Sequence, residues 1–155
     1  MEVQLAKVLG RAAAHAGAQL GNIQMMDWKR GELVIKTSLG FDARFLETFR
    51  SVSLTEPTVC ARAAMQRRPV LVENVFADRD YAPLRDIARH AGFHSVLSTP
   101  MIARSSVFVG VLSLHFAEGN CPNAAVIAET GRIAQAAADD MLGYSDLQEQ
   151  TLPAG

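Results

Sequence analysis

The chain has 155 residues, of which 49% are hydrophobic and 20% charged. That size and balance fit one domain with its own core and exclude a disordered or fibrous chain. The formal net charge is -1, so nucleic acid and acidic membrane surfaces have no overall electrostatic attraction to it.

Taken in chain order, VQLAKVLGRAAAHAGAQL sets Leu5, Val8, Leu9, Ala12, Ala13, Ala16 and Leu20 at helical spacing and predicts an amphipathic helix over about 3–20. GNIQMMDWKRGELVIKTSLG alternates twice, with KRG as the turn, and predicts a hairpin. DARFLETFRSV puts Phe45, Leu46 and Phe49 on one helical face behind Asp42 as N-cap, and SLTEP breaks the pattern. TVCARAAMQRR is a second short helix that Thr58 can cap. PVLVENV is a strand entered through Pro69, and FADRDYAP is a polar loop. In APLRDIARHAG, Leu84, Ile87, Ala88 and Ala91 share a helical face that Gly92 ends.

Ser95–Phe116 then reads as two apolar strands back to back. Phe108, Gly110, Leu112, Leu114 and Phe116 point one way, and Val107, Val109, Val111, Ser113 and His115 the other. Both sets are largely apolar, which predicts a central strand covered on both faces. Gly110 permits close approach of a backbone or ligand, and Pro100 predicts a bulge or irregularity. NAAVIAETGRIAQAAADDMLGYSDLQ is a long helix with Ile127, Thr130, Ala134, Ala137 and Met141 along a packing seam, and QTLPAG is a frayed tail. The pattern as a whole is α+β: an antiparallel sheet with inserted helices on one face and the two terminal helices paired on the other.

Cys60 and Cys121 lie far apart without C-x-x-C spacing, which argues against a disulfide framework or a zinc site. MEVQLAKVLG has no secretory character, and no apolar run nears the roughly 18 residues of a membrane span, so the expected location is the cytoplasm, with no membrane contact.

The candidate chemistry is sparse. Cys60 sits near a helix start, where the helix N-terminus can lower a thiol pKa and suit it to redox work or ligand attachment; the plainer reading is a small core residue. His90 and His94 have H-x3-H spacing, but Gly92 lies between them and no third ligand is near, so no metal is expected. His115 reads as a hydrogen-bonded histidine on a packed face, and His15 as a surface or dimer-face residue. Phe41, Phe45, Phe49, Phe76, Tyr81 and Phe93 either line a pocket for a planar ligand or fill the core, the latter being the better reading for Phe45 and Phe49. Tyr81 and Arg85 stand at a loop–helix junction where a polar ligand could be met. No nucleophile elbow, H-E-x-x-H, Walker loop or supported carboxylate pair occurs.

The phrases GNIQMMD, SLGFDARFLETF, TVCARAAMQRRPVLVENVFADRDYAPLRDIARHAGFHSVLSTPM and GVLSLHF, in that order and spacing over about Leu20 to Cys121, resemble the GAF domain family. The likeness is greatest to the sensory modules of bacterial histidine kinases and response regulators. The resemblance implies a central antiparallel sheet of five or six strands. It implies a ligand pocket under the inserted helices, and terminal helices that form a homodimer and pass a signal to an output domain.

On this reading residues 1–148 are one domain, with its core over about 20–121, terminal helices over about 3–20 and 123–148, and a tail from 149 to 155. The expected ligand-binding residues are Phe41, Phe45, Cys60, Tyr81, Arg85, Phe93, His94 and Ser98, with no catalytic or metal-binding residue. The ligand is an unidentified small molecule, the cofactor unknown, and the output partner a separate protein such as a histidine kinase.

The chain departs from the family at LTEPTVCA, where Pro57 and Ala61 replace common glycines and weaken any phosphate-cradling role. Two alternatives stand beside a sensor. One is a free methionine-(R)-sulfoxide reductase using Cys60, although GFHSVLSTP has no cysteine where the attacking thiol should be. The other is a ligand-free dimerisation module. A bilin site would want a Cys-His pair, which is not found, and the cyclic-nucleotide motif is not matched.

Overall fold

The computed structural model describes residues 2–151, with side chains over 4–143. α1 (Glu2–Ala16) ends where Gly17 takes φ 73°, and β1 (Leu20–Asp27) begins at once. The first helix therefore stops before the expected 20, because a left-handed residue breaks the helical ladder and Leu20 becomes strand. β2 (Glu32–Leu39) returns through a turn in which Asp27 Oδ1 accepts from the amides of Lys29 (3.0 Å) and Arg30 (3.2 Å) and Gly31 adopts φ 66°.

α2 (Ala43–Phe49) starts at Asp42, whose Oδ1 accepts from the Phe45 amide at 3.0 Å. It ends earlier than its apolar pattern suggests: Ser51–Ser53 leave the helix as β3, an edge strand on Glu32–Val34. α3 (Val59–Gln66) is capped by Thr58, as expected, and is followed by β4 (Val70–Val72). The expected loop contains a 3-10 turn, Arg79–Leu84, that runs into α4 (Arg85–Ala91), stopped by Gly92 at φ 86°. β5 (Ser95–Ile102) and β6 (Phe108–Phe116) follow, then α5 (Ala124–Thr151), where Asn123 Oδ1 accepts from the Val126 amide at 3.0 Å. The tail expected to fray from 149 begins inside α5; residues 152–155 lie outside the described residues.

The six strands form one antiparallel sheet in the order β3-β2-β1-β6-β5-β4. One face packs on α1 and α5 through Leu5, Leu9, Ile23, Leu97, Leu112, Leu114, Ala134 and Ala138. The other lies under α2, α3, the 3-10 turn and α4, with Leu33, Phe45, Phe49, Val59, Tyr81, Phe93 and Val96 in its core. The architecture is thus the expected three-layer α+β sandwich, with β6 central and both of its faces buried.

Alternation misplaces two residues of β6, Phe108 and Val109. Met101 pairs with Gly110 but Ile102 pairs with Phe108, so Val109 is an extra residue in β6. The bulge turns Phe108 into the core beneath the inserted helices, opposite to Leu112, with which it was expected to align. The irregularity follows Pro100 by one residue. A Cβ on Gly110 would collide with the Gln24 carbonyl oxygen, so the close approach expected there is to the neighbouring backbone of β1.

Candidate functional site

The pairing registers place polar side chains in the middle of the sheet, on the face under the inserted helices. Asn22 on β1 stands opposite Ser113 on β6, and Ser113 opposite Ser98 on β5. The two hydroxyls are hydrogen-bonded at 2.7 Å. One step along each strand on the same face are Gln24 on β1 and His115 on β6. All five side chains belong to residues no more than 5% exposed.

Three polar atoms of this floor, Asn22 Oδ1, Gln24 Oε1 and His115 Nδ1, have no hydrogen-bond partner in the protein. A dry, unpaired buried polar atom costs about 1–3 kcal/mol. Three on one face of one sheet call for an occupant that supplies partners.

The space above them is a cavity of about 20 Å³, walled by Phe45 and Phe49 from α2, Thr58, Val59 and Cys60 from the start of α3, Tyr81 from the 3-10 turn, and Val96 from β5. That volume accommodates about one water molecule. Asp78 fixes much of the roof: its carboxylate pairs with Arg62 of α3 at 3.2 Å and accepts from the Tyr81 amide at 3.1 Å, and its carbonyl accepts from Arg85 Nη2 at 3.0 Å. A second tie joins α2 to α4, where His90 Nε2 and Asp42 Oδ2 lie 2.9 Å apart. The amide of Phe45, and then His90, hold the Asp42 carboxyl below its ordinary range.

Electrostatically the cavity is neutral. No charged side chain lines it. Burial pushes the His115 imidazole down to about 3, so it stays uncharged through the physiological range. Burial also pushes the Cys60 thiol up, against opposing contributions from the Thr58 and Gln24 side chains. Of the two readings of Cys60, burial favours the small core residue over the activated thiol: loss of hydration outweighs the dipole of a short helix. Tyr81 is likewise shifted up by burial.

Of the eight residues expected at a ligand site, Phe45, Cys60, Tyr81 and Ser98 line the cavity. Phe41 and Phe93 stand behind it. Phe41 stacks on Phe45 with centroids 3.5 Å apart, and both Phe41 and Phe93 meet the His115 ring edge-to-face, at 4.9 and 4.6 Å. Arg85 braces the roof. His94 contributes main-chain hydrogen bonds to Phe116 and Val75, and its ring sits 5.6 Å from that of Phe76. His90 and His94 do not converge, and among the described residues no group of three or more His, Cys, Asp or Glu side chains does so.

His115 is buried as expected, but its Nδ1 lacks the anticipated hydrogen bond. Sequence reasoning missed Asn22, Gln24 and Ser113. Their signal was present: polar residues at period two in two strands that pair with each other.

The profile of the family described as "GAF domain" matches residues 2–139. No curated protein sequence matches the chain. Among solved structures, the fold is similar to the second GAF domain of DevS from Mycobacterium smegmatis (18% identity, TM-score 0.74, covering 97% of this chain and 100% of that one). It is similar to the GAF domain/HD domain protein from Geobacter sulfurreducens (19%, 0.73, 92% and 90%). It is also similar to the free methionine-R-sulfoxide reductase from Neisseria meningitidis, solved with its substrate (20%, 0.67, 91% and 80%). With a profile match over nearly its whole length, a six-stranded antiparallel sheet between two helical layers and a buried cavity under the inserted helices, this chain belongs to the GAF domain family.

Proposed function

We propose that the chain is a small-molecule-sensing regulatory domain of bacterial signal transduction, cytoplasmic, dimeric and non-catalytic. The observation that carries this reading is that Asn22, Gln24 and His115, each with a buried polar atom that has no partner in the protein, line one cavity. A pocket closed merely by side-chain filling, the structural-module alternative, would be expected to end with an apolar floor, since each unpaired group opposes closure. A ligand that satisfies these groups would favour one arrangement of the roof and sheet. α1 and α5, packed on the opposite face of the same strands, would register the change.

The outward sides of the terminal helices carry exposed small residues, among them Gly10 and Ala14 on α1 and Ala125 and Ala128 on α5, which permit close approach of a second copy. Light scattering at micromolar concentration should report a dimer; a monomer counts against that part. Among the described residues no helix is long and apolar enough to cross a membrane.

A reductase mechanism needs a thiolate with a resolving thiol in reach. Here Cys60 is buried with its thiol held protonated, and Cys121 is exposed in the loop after β6, outside the cavity lining. Wild-type protein and Cys60→Ser should therefore be equally inactive on free methionine sulfoxide.

The sensory reading is tested by thermal unfolding against a panel of small metabolites. A ligand present at about 100 times its Kd adds about 2.7 kcal/mol, or about 5–10 °C in a domain of this size. Stabilisation by at least one compound is expected. A flat response across the panel, with no molecule retained from host cells, would leave the structural module as the better account.

A further inference from the structure

The cavity and its surroundings specify a ligand class, an inference that rests on the sensory reading above. We propose that the floor takes an uncharged small molecule bearing an amide or amide-like pair of N–H and C=O groups, admitted past His115. The unpartnered atoms set the first requirement. Asn22 Oδ1 and Gln24 Oε1 each need a donor, and His115 Nδ1 needs a polar partner. An amide, with donor and acceptor side by side, satisfies either orientation of the Asn22 and Gln24 side-chain amides.

The absence of charge sets the second requirement. No charged group lines the space, and the Arg62 guanidinium of α3 pairs through its Nη atoms with Asp78 at 3.2 Å, leaving only its Nε without a partner. A carboxylate or ammonium entering here would lose its hydration without gaining a counter-charge. The walls Phe45 and Phe49 favour a flat or apolar remainder.

The route follows from a shared wall. His115 lines the cavity of about 20 Å³ and also a neighbouring cleft of about 190 Å³, bounded by Gln19, Leu20, Ala91, Gly92 and Asn120. His115 is thus common to the linings of both spaces. It is held by ring contacts with Phe41, Phe45 and Phe93, and its neutrality removes any charge barrier to its movement. Displacing that ring opens the cavity into the cleft and makes room for more than a water molecule.

Calorimetry on the full chain with isosteric probe pairs tests this: acetamide against acetate, and benzamide against benzoate. Each amide should bind at least about tenfold more tightly than its carboxylate, a gap of about 1.4 kcal/mol. Gln24→Met and Asn22→Leu, which keep shape but remove the polar atoms, should each weaken amide binding by a similar factor while remaining folded by urea titration. His115→Ala should accelerate exchange of benzamide, read from NMR line shapes.

Carboxylates binding as well as amides, with that binding lost in Gln24→Met, would overturn the ligand class and leave the sensory reading standing. Amide affinity unchanged in both floor variants would place binding elsewhere and overturn the proposal. If no probe binds, the ligand class falls, and the sensory reading then rests on the metabolite panel alone.

Discussion

The two faces of the sheet, built from the same strands, are finished in different ways. Against α1 and α5 the sheet presents Ile23, Leu97, Met101, Leu112, Leu114 and Phe116, interrupted by Ser95 and Thr99, whose small hydroxyls also lack a protein partner. Under the inserted helices the same strands present Asn22, Gln24, Ser98, Ser113 and His115. The first face is what burial alone would select, since each apolar side chain there gains about 1.5–3 kcal/mol by leaving water. The second gives up part of that gain. A domain that tolerates two unpartnered amide oxygens and an unpartnered imidazole nitrogen in its core holds them for something other than stability.

The largest expected effect breaks the apolar face. Leu114→Ala should cost about 2–5 kcal/mol in urea denaturation, because the closed packing between sheet and terminal helices leaves a cavity where the side chain was.

Next comes acid. His115 has a native pKa of about 3, against about 6.5 for an exposed histidine. Between these values the unfolded chain binds a proton that the native chain refuses, so stability falls as pH drops from about 6.5 toward about 3, by up to about 1.4 kcal/mol per unit. Below the native pKa this loss levels off. His115→Phe should remove that part of the slope. An unchanged slope in this variant would mean that the imidazole is hydrated in solution.

The third test inverts the usual sign of a core substitution. Gln24→Met should raise stability by about 1–2 kcal/mol in ligand-free protein, since it removes an unpartnered polar atom without changing shape greatly. The equivalent change on the other face, Leu97→Gln, should destabilise strongly. Matching signs for the two substitutions would erase the contrast between the faces. The smallest effect is Thr58→Ala, which removes the cap on α3 and should cost about 1 kcal/mol by urea titration.

How far the sequence discloses this contrast depends on the kind of information each residue carries. Strand alternation in GNIQMMD and GVLSLHF, the caps Asp42 and Thr58, and the stop at Gly92 are local signals, and each marks its element correctly. The edge strand Ser51–Ser53 is too short to show a period and continues a helical pattern, so only its pairing with β2 reveals it. The extra residue at Val109 flips Phe108, and its cause lies in the pairing with β5.

The site itself was half legible. Phe45, Cys60, Tyr81 and Ser98 could be nominated from their place in the inserted segments and the neighbouring strand. Asn22 and Gln24 are marked by alternation as sharing a face, but burial of that face is decided by α2 and α3, far along the chain. For Cys60 the sequence leaves two readings open for a related reason: a helix start is visible in sequence, but desolvation by the roof is not.

Native mass spectrometry of the wild type and of the Asn22→Leu, Gln24→Met double variant, purified side by side from the host cell, tests the central claim most directly. The account predicts a wild-type protein carrying an uncharged small molecule and a folded variant without it. The same bound mass on both, or bare protein in both, would contradict the assignment of the polar floor as the ligand site.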